Sequence, residues 1–287
     1  MALRDLLVYT DQSESAHQDL RLAADLARRH GSRLTALFVR AHTPMQLREQ
    51  RVAELGLASA DAMARENRHI ERSIDECIDK LRSELTAYGE RYGLATEWRS
   101  VEGPPSALVP QHARYADLCV VSQAALTHDA TVEYTFAEQL LFVTGRPVLF
   151  VPTYGEFETL GRHILVAWNS SRASTRAVND ALSLIEGAQR TTVLTVNPAE
   201  IMDRHRGLPS ELIVEHLRRH SAAVEGMRLD HVPAGSVAEA VLREAANVGA
   251  DLIVAGAFGH PRLWEKLLGG VTRDLLARMT LPVMMAH

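Results

Sequence analysis

The chain writes one structural unit twice. Residues 5–39 (DLLVYTDQSESAHQDLRLAADLARRHGSRLTALFV) and 163–196 (HILVAWNSSRASTRAVNDALSLIEGAQRTTVLTV) share one order. Each has an apolar strand, a polar turn with serines, an Ala/Leu-patterned helix and a second apolar strand. The later parts repeat as well: ADLCVVS (116–122) matches ADLIVAG (250–256), and RPVLFVP (146–152) matches LPVMMAH (281–287). An internal repeat of this length has to be explained by any fold proposed. Continuous apolar strands bounded by turn residues suit a parallel sheet covered on both faces. Crossover helices between them make each copy a doubly wound unit. The expected fold class is therefore α/β, with two tandem doubly wound, Rossmann-like parallel-sheet domains at 1–152 and 153–287. Pro152–Gly161, with its Pro, Gly and charge, serves as the linker. At 287 residues and 46% hydrophobic content, each half can bury a core.

The copies differ in the middle. Copy one carries an insert over roughly 46–92. In it Ile70, Ile74, Cys77, Ile78, Leu81, Leu85 and Tyr88 recur at helical spacing among charged residues. That pattern predicts an amphipathic crossover helix on the sheet, with partner contact as the sharper alternative. Copy two has a shorter segment broken by Gly207-Leu208-Pro209.

The chemistry concentrates in the last 38 residues. The apolar strand Leu252–Ala255 runs into Gly256, then Gly259, then the pair Gly269–Gly270, and a short helix and an apolar strand follow. Glycine lets the backbone approach a ligand with no Cβ in the way. A helix opened by Gly270 presents free N–H groups that favour an anion. The spacing suggests a phosphate cradle, with tight turns that hold no ligand as the bland alternative. No G-x4-G-K-[ST] run is present, so nothing supports P-loop phosphoryl transfer.

Gly256-x2-Gly259-x9-Gly269 between two strands resembles the nucleotide loop of the universal stress protein superfamily. The run Gly-His-x-Arg-Leu with a later Gly-Gly-Val-Thr-Arg is similar to its tandem two-domain bacterial type. The resemblance implies an adenine nucleotide alpha hydrolase-like fold. It also implies a ligand, ATP or another adenine nucleotide, with or without magnesium. On that resemblance the cofactor-binding residues are Ala167, Asn169, Ser170, Val196, Gly256, Gly259, His260, Arg262, Gly269, Gly270, Val271 and Thr272. Backbone near Val196 would touch the base, and His260 or Arg262 would face phosphate. Two departures stand out. Asn169 occupies a place where the family commonly has an acid, and Gly270 follows Gly269 where Ser or Thr is usual; Thr272 comes two later. Asn169 and Ser170 also suit a turn that caps the next helix.

Copy one keeps Asp11 opposite Asn169 but sets Ser122 against Gly256 and Ala125 against Gly259, with no later glycine pair. Glu133 and Glu138 add negative charge to that region. One competent site, in copy two, is expected. His216 and His220 share a helix face, but no third or fourth ligand is evident, so a solvated face is expected and no metal site is assigned.

The formal net charge of −5, mixed in sign, excludes a nucleic-acid surface. No apolar run of about 18 residues suggests a membrane span, and Cys77 and Cys119 suit a reducing cytoplasm. The expected role is a cytoplasmic stress-response sensor or regulator acting through an intrachain pseudo-dimer, with a homodimer as an extension. The alternatives are a scaffold without nucleotide and a slow ATPase using Asp274 or Glu265 near the loop.

Overall fold

A computed structural model describes residues 3–41, 60–127, 136–199, 210–221, 223–257 and 270–287. The first half runs β1 (Asp5–Thr10), α1 (Ser15–His30), β2 (Arg33–Arg40), α2 (Ala60–Tyr92), β3 (Thr96–Glu102), α3 (Pro105–Ala113), β4 (Leu118–Ser122), α4 (Phe136–Val143) and β5 (Val148–Val151). The second half runs β6 (His163–Ala167), α5 (Arg172–Asp180), α6 (Leu182–Gly187), β7 (Arg190–Val196), α7 (Glu211–Arg218), β8 (Val224–Leu229), α8 (Val237–Val248), β9 (Leu252–Gly256), α9 (Gly270–Arg278) and β10 (Val283–Ala286).

All the described strands lie in one sheet, in the order β3-β2-β1-β4-β5-β10-β9-β6-β7-β8. Within each half every pairing is parallel. Copy one reads 3-2-1-4-5 and copy two repeats that order in reverse. The halves meet where β5 and β10 pair antiparallel: Val283 opposes Phe150, Met284 opposes Leu149, and Met285 opposes Val148. The repeat sets Val148, Leu149 and Phe150 against Val283, Met284 and Met285 in order. The pairing therefore maps onto itself about Leu149–Met284, the signature of an isologous, two-fold interface. An apolar last strand left at a sheet edge would invite aggregation. Here each copy's last strand covers the other's, and β3 and β8 form the outer edges.

Strand alternation sends neighbouring side chains to two cores, one on each face. Leu6, Val8, Leu149 and Met284 join α1, α2, α5 and α6 on one side. Leu7, Tyr9, Phe150 and Met285 join α3, α4, α8 and α9 on the other. Each core runs through both halves. The predicted amphipathic helix is α2, whose Ile78, Leu81 and Leu85 are buried against the first core.

The repeated Ala-Asp-Leu before β4 and β9 has a structural reason. Asp117 accepts from the backbone N–H groups of Arg4 (2.7 Å) and Asp5 (3.0 Å). Asp251 accepts from Arg162 (3.1 Å) and His163 (3.0 Å), the equivalent pair in copy two. Each aspartate ties down the start of its half's first strand, whose edge N–H groups would otherwise lack partners.

Candidate functional site

In copy two, β6 stands between β7 and β9, and the strand order reverses there. Ligands of open α/β sheets bind beyond the carboxyl ends of the strands at such a reversal. Ala167 ends β6 and pairs with both Leu194 and Ala255. The chain then turns sharply. Asn169 Oδ1 accepts from Ser171 N at 3.2 Å, and Ser170 takes a left-handed φ of 56°. Ser171 returns to extended geometry (φ −80°, ψ 161°) and its Oγ accepts from Ser174 N at 3.1 Å. The turn falls where the sequence places it. The cap does not: Ser171 fills that role, because its extended backbone aims its hydroxyl at the N3 amide, that of Ser174.

Gly256 ends β9 beside this turn. A Cβ there would lie 2.3 Å from Ser174 N, 2.5 Å from Ala173 C and 2.7 Å from Ser174 Cα. The sequence reading gave this glycine to close approach by a ligand. In the structure the backbone of α5 already fills that space, so helix–strand packing alone demands glycine at 256. Gly270 differs: it opens α9, and a Cβ there would meet nothing within 4 Å. Val271 is exposed beside it and Thr272 is buried in the same first turn. Gly259, His260, Arg262 and Gly269 lie outside the described residues, as do Trp264 and Glu265.

Val196 ends β7 opposite Leu229, half-buried at the same sheet edge. The next residue reads in the sequence only as the start of a loop with Pro198. Asn197 takes a left-handed φ of 51°. Its Nδ2 donates to Val232 O (2.6 Å) and its Oδ1 accepts from Val232 N (2.9 Å). This double clamp ties the loop after β7 to the loop after β8. Asn before Pro was the available signal, since Asn tolerates the left-handed region better than most residues.

Copy one builds the same edge from different side chains. Asp11 Oδ1 accepts from Ser13 N at 2.9 Å, repeating the Asn169 turn, and also from Ser13 Oγ. Ser13 Oγ lies 2.9 Å from Ser15 Oγ, and Ser15 Oγ lies 2.8 Å from Ser122 Oγ. Ser122, the counterpart of Gly256, further accepts from Ala124 N at 3.2 Å. A hydroxyl chain thus occupies the place where copy two has helix backbone against glycine. Burial, with Asp11 beside it, pushes the Tyr9 phenol and the Cys77 thiol above their ordinary ranges. Ala125 is buried, and Glu138 is buried on α4. Glu133 lies outside the described residues.

The His216 and His220 rings meet edge-on at 5.1 Å, and His220 Nδ1 lies 3.3 Å from Glu186 Oε1. Among the described residues no three His, Cys, Asp or Glu side chains gather as a metal site would require. Among them, too, no helix is long and apolar enough to cross a membrane. Asp274 lies 3.9 Å from Arg273 on α9.

The architecture defines a tandem, doubly wound α/β protein with a turn and a glycine-bearing strand end at one switch point. The model of the Universal stress protein family matches residues 3–127 and 161–287, and the chain belongs to that family. A universal stress protein from Archaeoglobus fulgidus DSM 4304 aligns with a TM-score of 0.68 at 17% identity, covering 98% of this chain and 95% of its own. A putative universal stress protein from Pseudomonas aeruginosa UCBPP-PA14 aligns with a TM-score of 0.54 at 15% identity, over 99% and 92%. At these identities the likeness shows the fold alone. A universal stress protein in complex with cAMP covers 54% of this chain and 100% of its own, with 20% identity and a TM-score of 0.38, too low to argue from. Comparison with curated proteins finds no match.

Proposed function

We propose that the chain is a cytoplasmic, nucleotide-responsive regulator that binds ATP or a related adenine nucleotide in its C-terminal domain, 153–287. The observation that carries the reading is where the described ends of the glycine-rich stretch lie: β9 ends at Gly256 beside the reversal of strand order, and α9 opens at Gly270. On this reading Ala167, Asn169, Ser170 and Val196 meet the nucleoside. Gly256, Gly259, His260, Arg262, Gly269, Gly270, Val271 and Thr272 meet the phosphates, with magnesium accompanying a triphosphate. The N-terminal end of α9, the positive end of its helix dipole, favours the anion. Asn169 contributes hydrogen bonds without charge, and one of its acceptor sites already serves the turn. The two halves act as an intrachain pseudo-dimer, with copy one as a structural or regulatory half.

Calorimetry of the full chain with ATP, ADP and AMP tests this. Saturable heat is expected, weakened at least about tenfold by Gly259→Ala, a loss of roughly 1.4 kcal/mol. No heat with any of the three at millimolar concentration sinks the proposal. One observation favours a second reading, a scaffold without nucleotide: packing against α5 accounts for Gly256 with no ligand. Adenine nucleotide released from the purified protein, measured by mass spectrometry, would count against the scaffold.

A further inference from the structure

Asp19 has no counterpart in the established logic of the fold. It lies on α1 one helical turn after Ser15, so the two share the face that packs on the sheet. The residue is 1% exposed, and among the described residues neither carboxyl oxygen has a partner of good hydrogen-bond geometry, the Ser122 hydroxyl beside it interacting only loosely. At the equivalent position copy two has Ala177, buried in the apolar core. A carboxylate buried this way, with a second carboxylate and no cation acting on it among the described residues, is in a costly state that proteins avoid by protonation.

Among the described residues, the groups that act on Asp19 include no cation. From the loop after β1 comes the second carboxylate, Asp11; from β4, the Ser122 hydroxyl; from its own helix, Ser15. From α2 comes Cys77, whose Sγ lies 3.8 Å from Asp11 O. Of the other charges near this layer, Lys80 on α2 acts on the Cys77 thiol, and Arg21 on α1 donates to Phe157 O at 3.1 Å. His17 pairs with Glu84 at 2.8 Å, and Asp25 pairs with Arg28 and Arg29 on the outer side of α1. β2 has only Arg33 and Arg40, at its two ends, and they pair with Glu97 and Asp75. Tyr9 belongs to the opposite face of the sheet. Burial, and then the charge of Asp11, pushes Asp19 well above the usual carboxylate range, and the Ser122 hydroxyl offsets this only in part.

We propose that Asp19 is a proton-operated latch on copy one: as a neutral carboxylic acid it lets α1 close on the β1–β4 edge, and losing its proton beside Asp11 loosens that edge. The inference does not depend on nucleotide binding. The linkage has a definite sign. The native chain holds a proton on Asp19 that the unfolded chain has lost above about pH 4, so stability falls as pH rises, until the native group itself ionises. Below about pH 4 both states are protonated and the dependence vanishes.

The test measures folding equilibria of the full chain between about pH 4 and 10 for wild type, Asp19→Asn and Asp19→Ala, the last taking copy two's residue. The wild-type constant should fall about tenfold per pH unit relative to both variants, then level off where Asp19 ionises. Parallel curves for wild type and variants overturn the proposal. Carbon NMR of the Asp19 carboxyl reads the proton directly in the wild type, so a variant that fails to fold does not protect the idea. A carboxylate signal at about pH 6 overturns it. The latch itself is read from amide exchange at Ser13 and Ala124, bonded to Asp11 and Ser122. Above the transition both should exchange faster in wild type than in Asp19→Asn; equal rates overturn the coupling.

Discussion

The two switch points share a backbone plan and differ in what fills it. In copy two, Gly256 admits the backbone of α5 at Ala173 and Ser174. In copy one the same two places hold Ser122 and Ser15, hydrogen-bonded to each other at 2.8 Å. Glycine against alanine brings helix and strand into backbone contact; serine against serine spaces them by two hydroxyls. These paired residues change together, and the residue one turn further along changes with them, Asp19 for Ala177. The copies thus differ at a contact between a helix start and a strand end, as well as at Asp11 against Asn169 and Ala125 against Gly259. The result is one apolar, close-packed edge and one polar, acidic edge within a single sheet.

The sharpest way to break the comparison is at the junction the halves share. Leu149 and Met284 oppose each other across β5 and β10, and both are buried, at 1% and 0% exposure. Leu149→Asp and Met284→Asp each place an unpaired charge in that layer, and each should cost more than about 4 kcal/mol in urea denaturation. The two losses should agree within about 1 kcal/mol, because the register is self-complementary. Strongly unequal losses would show that the two-fold relation is geometric only and that the halves do not share the junction energetically.

A smaller effect is expected at the paired contact itself. Gly256→Ala sets a Cβ against backbone atoms that cannot rotate away, and overpacking of this kind costs about 3 kcal/mol. The reciprocal change, Ser122→Gly, removes a hydroxyl and leaves Ser15 one partner short, a loss of about 1 kcal/mol. Thermal or chemical unfolding of both variants measures the difference. A Gly256→Ala protein as stable as wild type would mean that α5 shifts freely, and the glycine would again need a ligand to explain it.

The duplication made the strands, the helices and their parallel order legible, because apolar runs and Ala/Leu-patterned helices are local signals. The amphipathic spacing from Ile70 to Tyr88 gave α2 for the same reason. The antiparallel joining of β5 and β10 was less accessible. The sequence raised pairing within the chain, but nothing local sets the register about Leu149 and Met284. At the site, the Asn169 turn was readable from residue type. The reason for Gly256 was not: glycine looks the same whether a ligand or a helix approaches it, and Ser174 is far from it in sequence. Asp19 is not legible in sequence because a single acid in a helix reads as solvated; only packing shows that it is buried beside a second carboxylate. Asn197 was hidden likewise, since its clamp closes on Val232, many residues away.

The smallest expected contrast tests how far the two helix starts have diverged. In copy two Ser171 caps α5 through Ser174 N. In copy one α1 begins after Glu14, which makes no side-chain capping bond, while the serine equivalent to Ser171, Ser13, is turned toward Asp11 and Ser15. A helix start leaves amides without intrahelical partners, and one capping hydroxyl is worth about 1 kcal/mol. Ser171→Ala should therefore cost about 1 kcal/mol, whereas Glu14→Ala should stay within about 0.5 kcal/mol of wild type. Equal losses from the two substitutions would place a capping contact in copy one as well. The serine network of copy one would then be an addition to an ordinary helix start, and the difference between the copies would reduce to Ser122, Ser15 and Asp19.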